Sequence, residues 1–306
     1  MKQSAVPVRS GRRVALAAAL GLLLMTVTAR REKAQAASDA AHKVTVMIGG
    51  QSFTFRVVSP GHLKIAFTDG DLPEIGQGPD GTLVGTDGYW LTEAAKMFGL
   101  KLELFPTTFT SEILATKQGK VDIGTTAYWT AARARQVWYT YPFFQDTAGI
   151  YVKEPFAYHD PSSLKGHPVG TLEGYVYAPY MLKAFPRSDV HLYKTIIEAL
   201  TALDNGQIAA YVDAYGGAVS KDVARFKDIA FKPVSVGDLG MPASVITEKA
   251  YNYVNCDNDE LASALNAVMH QLVEDGSWQK ALQQNGITPN TFNMPALESP
   301  PQLCKG

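Results

Sequence analysis

Residues 119–144 read GKVDIGTTAYWTAARARQVWYTYPFF, and this stretch decides the fold. Val121 and Ile123 mark a short apolar strand, Thr125 and Thr126 a hydroxyl-rich turn, and a helix is predicted to open at Thr130 with Arg133 and Arg135 in its first two turns. Backbone N–H groups at a helix start, nearby hydroxyls and a guanidinium together suit a small carboxylate. A surface helix with solvated arginines is the alternative reading of the stretch taken alone.

Working outward, the same strand-then-helix order repeats. Val44–Ile48 and Phe53–Val58 alternate apolar and polar residues around Gly49-Gly50-Gln51-Ser52, a predicted β-hairpin. Leu63–Phe67 reads as a strand that ends in an acidic loop containing Asp69, Asp71 and Glu74. Asp87 is placed to cap a helix bearing Trp90, Ala94 and Met97, and a helix over about 110–118 stops at Gly119. Further on, Pro168–Leu172 is a strand entering the turn Glu173-Gly174-Tyr175. Thr195 and Glu198 form a capping box, Gly206 stops that helix, and a strand then delivers Asp213. Asp257 and Glu260 suit a second box ahead of the helix carrying Leu261, Leu265, Val268 and Leu272. Strands alternating with helices imply an α/β fold with a mostly parallel sheet, and ligands in such folds lie beyond the carboxyl ends of strands.

The chain has 306 residues, 46% hydrophobic and 19% charged, with a net charge of −1. That is a globular composition, and the length favours two lobes. Near-neutral charge leaves no electrostatic footprint for nucleic acid. The histidines are scattered and the two cysteines, Cys256 and Cys304, have no metal-ligand spacing, so neither a metal nor a cofactor is expected. In an exported protein those cysteines are a candidate disulfide, with two unpaired thiols as the alternative. Export is expected from the basic residues Lys2, Arg9, Arg12 and Arg13 followed by the apolar run Val14–Val27, giving a signal peptide over 1–36 and a periplasmic protein. An uncleaved anchor is the alternative, because Arg30 and Arg31 follow the apolar run directly.

Six stretches in order carry a resemblance: Gly85-Thr86-Asp87, VDIGTTAYWTAAR, Tyr141-Pro142-Phe143-Phe144, Ser163-Leu164-Lys165-Gly166 before VGTLEG, NDEL, and DGSW. Over roughly 61–286 the sequence resembles the extracellular solute-binding proteins of polar-amino-acid ABC transporters (family 3). The resemblance implies a two-lobed type II periplasmic-binding-protein fold, each lobe a mixed, mostly parallel sheet flanked by helices, joined by two hinge crossings near 151–155 and 243–249. The expected division is 37–60 as an N-terminal extension, 61–152 plus 248–306 as lobe 1, and 153–247 as lobe 2.

The same resemblance assigns expected ligand contacts. Arg133 falls where the family pairs an arginine with the ligand carboxylate, Asp213 where an acid holds the ligand ammonium, Phe109 where a ring packs on the ligand, and Thr126 where the turn supplies contacts. Thr125, Tyr128, Tyr175 and Asp69 complete the candidate set. Tyr128 stands in place of a small hydroxylated residue, and Tyr175-Val176 replace another such pair, so an aromatic cleft favouring a larger or cationic ligand is expected. The expected function is capture of an amino acid, zwitterion or amine by a monomer that docks on a membrane ABC permease. Two alternatives stay open: an accessory protein of a periplasmic quinoprotein dehydrogenase, and a cyclohexadienyl dehydratase-like enzyme using Glu173 or Asp213.

Overall fold

The computed structural model describes residues 42–214, 226–287 and 295–304. The expected signal peptide lies outside them. The chain opens with a hairpin, β1 (Lys43–Ile48) and β2 (Gln51–Arg56). Gly49 and Gly50 form its two-residue turn at φ 56° and 80°, the conformation that matches strand twist. Val46, Ile48, Phe53 and Phe55 turn to one face and join the largest core cluster.

Next come β3 (His62–Phe67), the short pair β4 (Gly76–Gln77) and β5 (Leu83–Val84), and helix α1 (Thr86–Phe98). Then follow β6 (Lys101–Pro106), α2 (Phe109–Lys117), β7 (Ile123–Tyr128), α3 (Ala131–Ala134) and the long strand β8 (Trp138–Lys153). Beyond it lie β9 (Val169–Leu172), α4 (Ala178–Ala184), β10 (Val190–Tyr193), α5 (Ile196–Asp204), β11 (Ala210–Ala214) and β12 (Ile229–Pro233). The chain closes with α6 (Ala243–Ile246), β13 (Thr247–Val254), α7 (Asp259–Glu274) and α8 (Ser277–Gln284). Among the described residues no helix is long and apolar enough to cross a membrane.

One mixed sheet runs in the order β10-β9-β11-β8-β13-β7-β3-β6, with β12 also on β8. Its flanks are parallel, β10 with β9 and β6 with β3, as strand–helix–strand units require. Strand β8 belongs to both halves. Residues from Trp138 to Thr147 pair with β13, and residues from Ala148 to Lys153 pair with β11 and β12. Gly149 sits just past the change of partner, where an added Cβ would lie 2.0 Å from the Phe231 ring; only glycine lets β12 lie this close. Thr247, the first residue of β13, stands opposite Thr147. The two chain passages are thus neighbours in one antiparallel pair. We propose that the lobe boundary lies there, between Thr147 and Ala148 and at Thr247. Separate apolar clusters support the halves: Leu63, Trp90 and Leu265 in one, Ile150, Val169 and Met181 in the other.

Three local expectations differ from what is found. The helix after Thr130 is a single turn, because the chain from Val137 enters β8 at once; Arg135 is its C-cap rather than part of a second turn. Asp87 is not a cap but lies inside α1, fully buried, accepting from Asn252 Nδ2 at 2.5 Å and Thr126 Oγ1 at 3.3 Å. Ahead of α7 the cap position is Asn258, whose amide is taken by Arg56 N and O of β2, so no box forms with Asp257 and Glu260. The box at Thr195 and Glu198 is present on α5.

Candidate functional site

The carboxyl ends of β3, β7, β9 and β11 meet between the lobes. At the end of β7, Thr125 and Thr126 are adjacent and diverge. Thr125 Oγ1 turns inward to Ala66 O and the buried carboxylate of Glu112, both at 3.2 Å, and its N–H also donates to Glu112. Burial pushes the Glu112 carboxyl up to about 8 despite these donors and Tyr253 OH at 2.9 Å. Thr125 is therefore a scaffold residue, and its expected ligand role is corrected. Thr126 is held at φ 45°, a conformation costly for a β-branched residue, by Asn252 Oδ1 on its N–H and Asp87 on its hydroxyl.

A cavity of about 30 Å³ lies between the lobes. Lobe 1 contributes Asp71, Glu74, Phe109, Thr126, Tyr128, Arg133 and Asp146, and lobe 2 contributes Tyr175, Val176, Asp213 and Ala214. The space holds about one or two waters. Anything larger enters only when the lobes part. A wider groove of about 1040 Å³ opens beside it, sharing Arg133, Tyr175 and Val176 with the cavity and reaching Trp129, Glu248 and Pro301. Arg133 and Tyr175 thus form the partition between cavity and mouth.

Arg133 is 8% exposed, and its guanidinium spans the lobes. Nη1 donates to Tyr128 O at 2.7 Å and Nη2 to Gly174 O at 2.8 Å. Its flat face lies 4.7 Å from the Phe109 ring centre, and Phe109 meets Tyr175 edge-on at 5.1 Å. Gly174 has φ 80° and an added Cβ there would stand 2.6 Å from Thr110 Cγ2, so the lobe 2 turn touches α2 across the cleft. Opposite, Asp213 accepts from Tyr211 OH and from Ala214 N at 2.8 Å. Burial still pushes its carboxyl up to about 6.

The acidic loop after β3 divides by direction. Asp69 accepts from Gly70 N at 3.0 Å and Gln77 N at 2.9 Å, which ties the loop to itself and keeps this carboxylate off the cavity. Its expected contact is corrected, and Asp71 and Glu74 line the space instead. Burial first, then the carboxylates of Asp71 and Asp146, pushes Glu74 well up; burial first, then Asp213 and Asp146, does the same to Asp71. Asp146, missed in the sequence, accepts from Tyr128 OH at 3.4 Å and Thr147 N at 2.6 Å. Its signal was a carboxylate between the apolar stretches Tyr141–Phe144 and Ala148–Val152 of β8. Glu173 is exposed and does not line the cavity. Among the described residues no three His, Cys, Asp or Glu side chains converge as metal ligands.

Cys256 and Cys304 are bonded, with Cα atoms 5.6 Å apart. The bond fixes a C-terminal strap beside α3: Leu303 N donates to Ala134 O at 3.3 Å, the Gln302 amide brackets Tyr139 N and O, and Trp129 Nε1 donates to Pro301 O at 2.9 Å.

Solved structures of similar fold include the substrate-binding protein of an amino acid ABC transporter, at 20% identity and TM-score 0.66 over 74% of this chain and 99% of that one. A Salmonella typhimurium periplasmic binding protein with high arginine specificity is 20% identical, TM-score 0.65, over 74% and 99%. An ancestral amino acid-binding protein, a precursor of cyclohexadienyl dehydratase, is 20% identical, TM-score 0.63, over 74% and 95%. The fold is the two-lobed type II periplasmic-binding-protein fold. No curated protein matches the sequence. The family model of the bacterial extracellular solute-binding proteins, family 3, matches residues 63–286, and the chain belongs to that family.

Proposed function

We propose that this protein is a periplasmic capture protein that closes its lobes on a small solute of the amino acid or amine class and delivers it to a membrane ABC permease. One observation carries the reading: charged and aromatic groups from both lobes converge on a single cavity at the strand ends, with the Arg133 side chain reaching from lobe 1 to Gly174 of lobe 2. Desolvating these groups is costly unless each finds a partner, and a bridging ligand supplies partners to both lobes at once. The family and the amino-acid-binding relatives point the same way. A thermal-shift screen over amino acids and amines tests the reading: a cognate solute raises Tm in proportion to the logarithm of its concentration above Kd. No rise with any member of the panel contradicts it.

A catalytic reading has one specific support, a buried acid in the cavity, since Asp213 is pushed up to about 6, toward the range of a general acid. Steady consumption of prephenate or arogenate by the purified protein would establish that reading, and its absence together with a ligand-induced Tm rise returns the protein to capture.

A further inference from the structure

We propose that the ligand of the interlobe cavity is a small organic cation, an amine or guanidine lacking a carboxylate, whose charged head is seated between Glu74 and Asp213. The inference rests on the capture reading above and narrows it. Four carboxylates line the cavity, Asp71, Glu74, Asp146 and Asp213, against the single guanidinium of Arg133. Two of that guanidinium's five N–H donors are engaged by the carbonyls of Tyr128 and Gly174, one on each lobe. A ligand carboxylate would have to share the one guanidinium with those carbonyls and sit among four acids.

Glu74 supplies the independent observation. The residue is 3% exposed, and its Oε2 has no hydrogen-bond partner among the described residues. Its neighbours are better provided: Asp213 has Tyr211 OH and Ala214 N, and Asp146 has Tyr128 OH and Thr147 N. A buried carboxylate oxygen without a donor, lining a cavity, is the acceptor that a ligand N–H completes. Tyr128 and Tyr175 line the same space with rings suited to a cation's hydrocarbon flank and charge. A metal ion fits less well, because among the described residues no three acidic, His or Cys side chains converge as a ligand set.

Paired probes isolate the carboxylate. Agmatine and arginine share a guanidinium, cadaverine and lysine share an ammonium, and in each pair only the second member carries a carboxylate. Calorimetric titration of the full chain is expected to show at least one decarboxylated member binding tenfold or more tighter than its amino acid. Glu74→Gln, which keeps the side chain's shape, is expected to weaken that binding by tenfold or more, and the shorter Glu74→Asp checks the same acceptor with its charge retained. An amino acid that binds as tightly as its amine, binding confined to other solutes in a wider amino-acid panel, or an affinity unchanged in Glu74→Gln each overturns the cation inference and leaves capture standing. No binding by any of these compounds overturns both.

Discussion

Arg133 holds two backbone carbonyls, one on each lobe, and it can do so because its planar fork presents parallel donors. Lysine keeps the charge but not the fork. Arg133→Lys is therefore predicted to loosen the closed form, read as a larger radius of gyration by small-angle scattering with the far-ultraviolet circular dichroism spectrum unchanged; an identical radius contradicts the latch. Gly174→Ala tests the facing surface. The new Cβ would stand 2.6 Å from Thr110 Cγ2, a contact made only across the cleft. Overpacking of this kind costs about 1–3 kcal/mol, which predicts roughly five- to hundredfold weaker ligand binding. Unchanged affinity would show that the two surfaces do not meet in the bound form. At this scale the sequence was legible for side chains on strand ends and on the turns and helix starts beside them: Arg133, Asp213, Phe109, Thr126, Tyr128 and Tyr175 all line the cavity. It was not legible inside the irregular loop after β3. There, which of Asp69, Asp71 and Glu74 faces inward depends on loop hydrogen bonds such as Gln77 N to Asp69, and no periodicity encodes them. Thr125 fails for a different reason. Successive strand residues point to opposite faces, so adjacent threonines cannot both face the cleft.

Strand β8 is the element that makes two lobes from one sheet, and its 16 residues change partner once, from β13 to β11 and β12. Alternation of helices and strands was readable because apolar spacing and the stops at Gly119 and Gly206 are local signals. The partner change is not local: it depends on β13 and β11, which lie about 60 to 110 residues further along the chain. The same limit applies to Asn258, which serves β2 across 202 residues instead of the Asp257 box expected from neighbours alone. The C-terminal strap is a second element whose role is visible only in three dimensions. Its bond joins residues 48 apart, a loop for which cross-linking restricts the unfolded chain by about 4 kcal/mol in the chain-entropy picture. Replacing both cysteines with serine is predicted to lower the unfolding free energy by about 2–4 kcal/mol in urea titrations. No change in the midpoint would mean that the strap is held by its other contacts, Gln302 to Tyr139 and Trp129 to Pro301.

For the molecule as a whole, buried acids set an unusual dependence on pH. Burial pushes Asp87 up to about 7, Glu112 to about 8 and Asp122 to about 6. Each folded carboxyl thus binds its proton more tightly than in the unfolded chain, where the value is about 4. Their contribution is fully present below about pH 4 and is lost as pH rises through 6 to 8. Exposed acids whose values are lowered, such as Asp80 and Asp160, are already ionised in both states over that interval. Tm is accordingly predicted to fall between pH 5.5 and pH 8.5, and a rise across the same interval contradicts this placement of protons. The central claim is that one solute is held by both lobes together. The most direct test is a titration of the cognate solute against wild type, Glu74→Gln on lobe 1, Asp213→Asn on lobe 2, and the double variant. The account predicts one binding event that each single change weakens by about tenfold or more, with the double variant weaker still. Binding that survives intact in either single variant would contradict a site shared between the lobes.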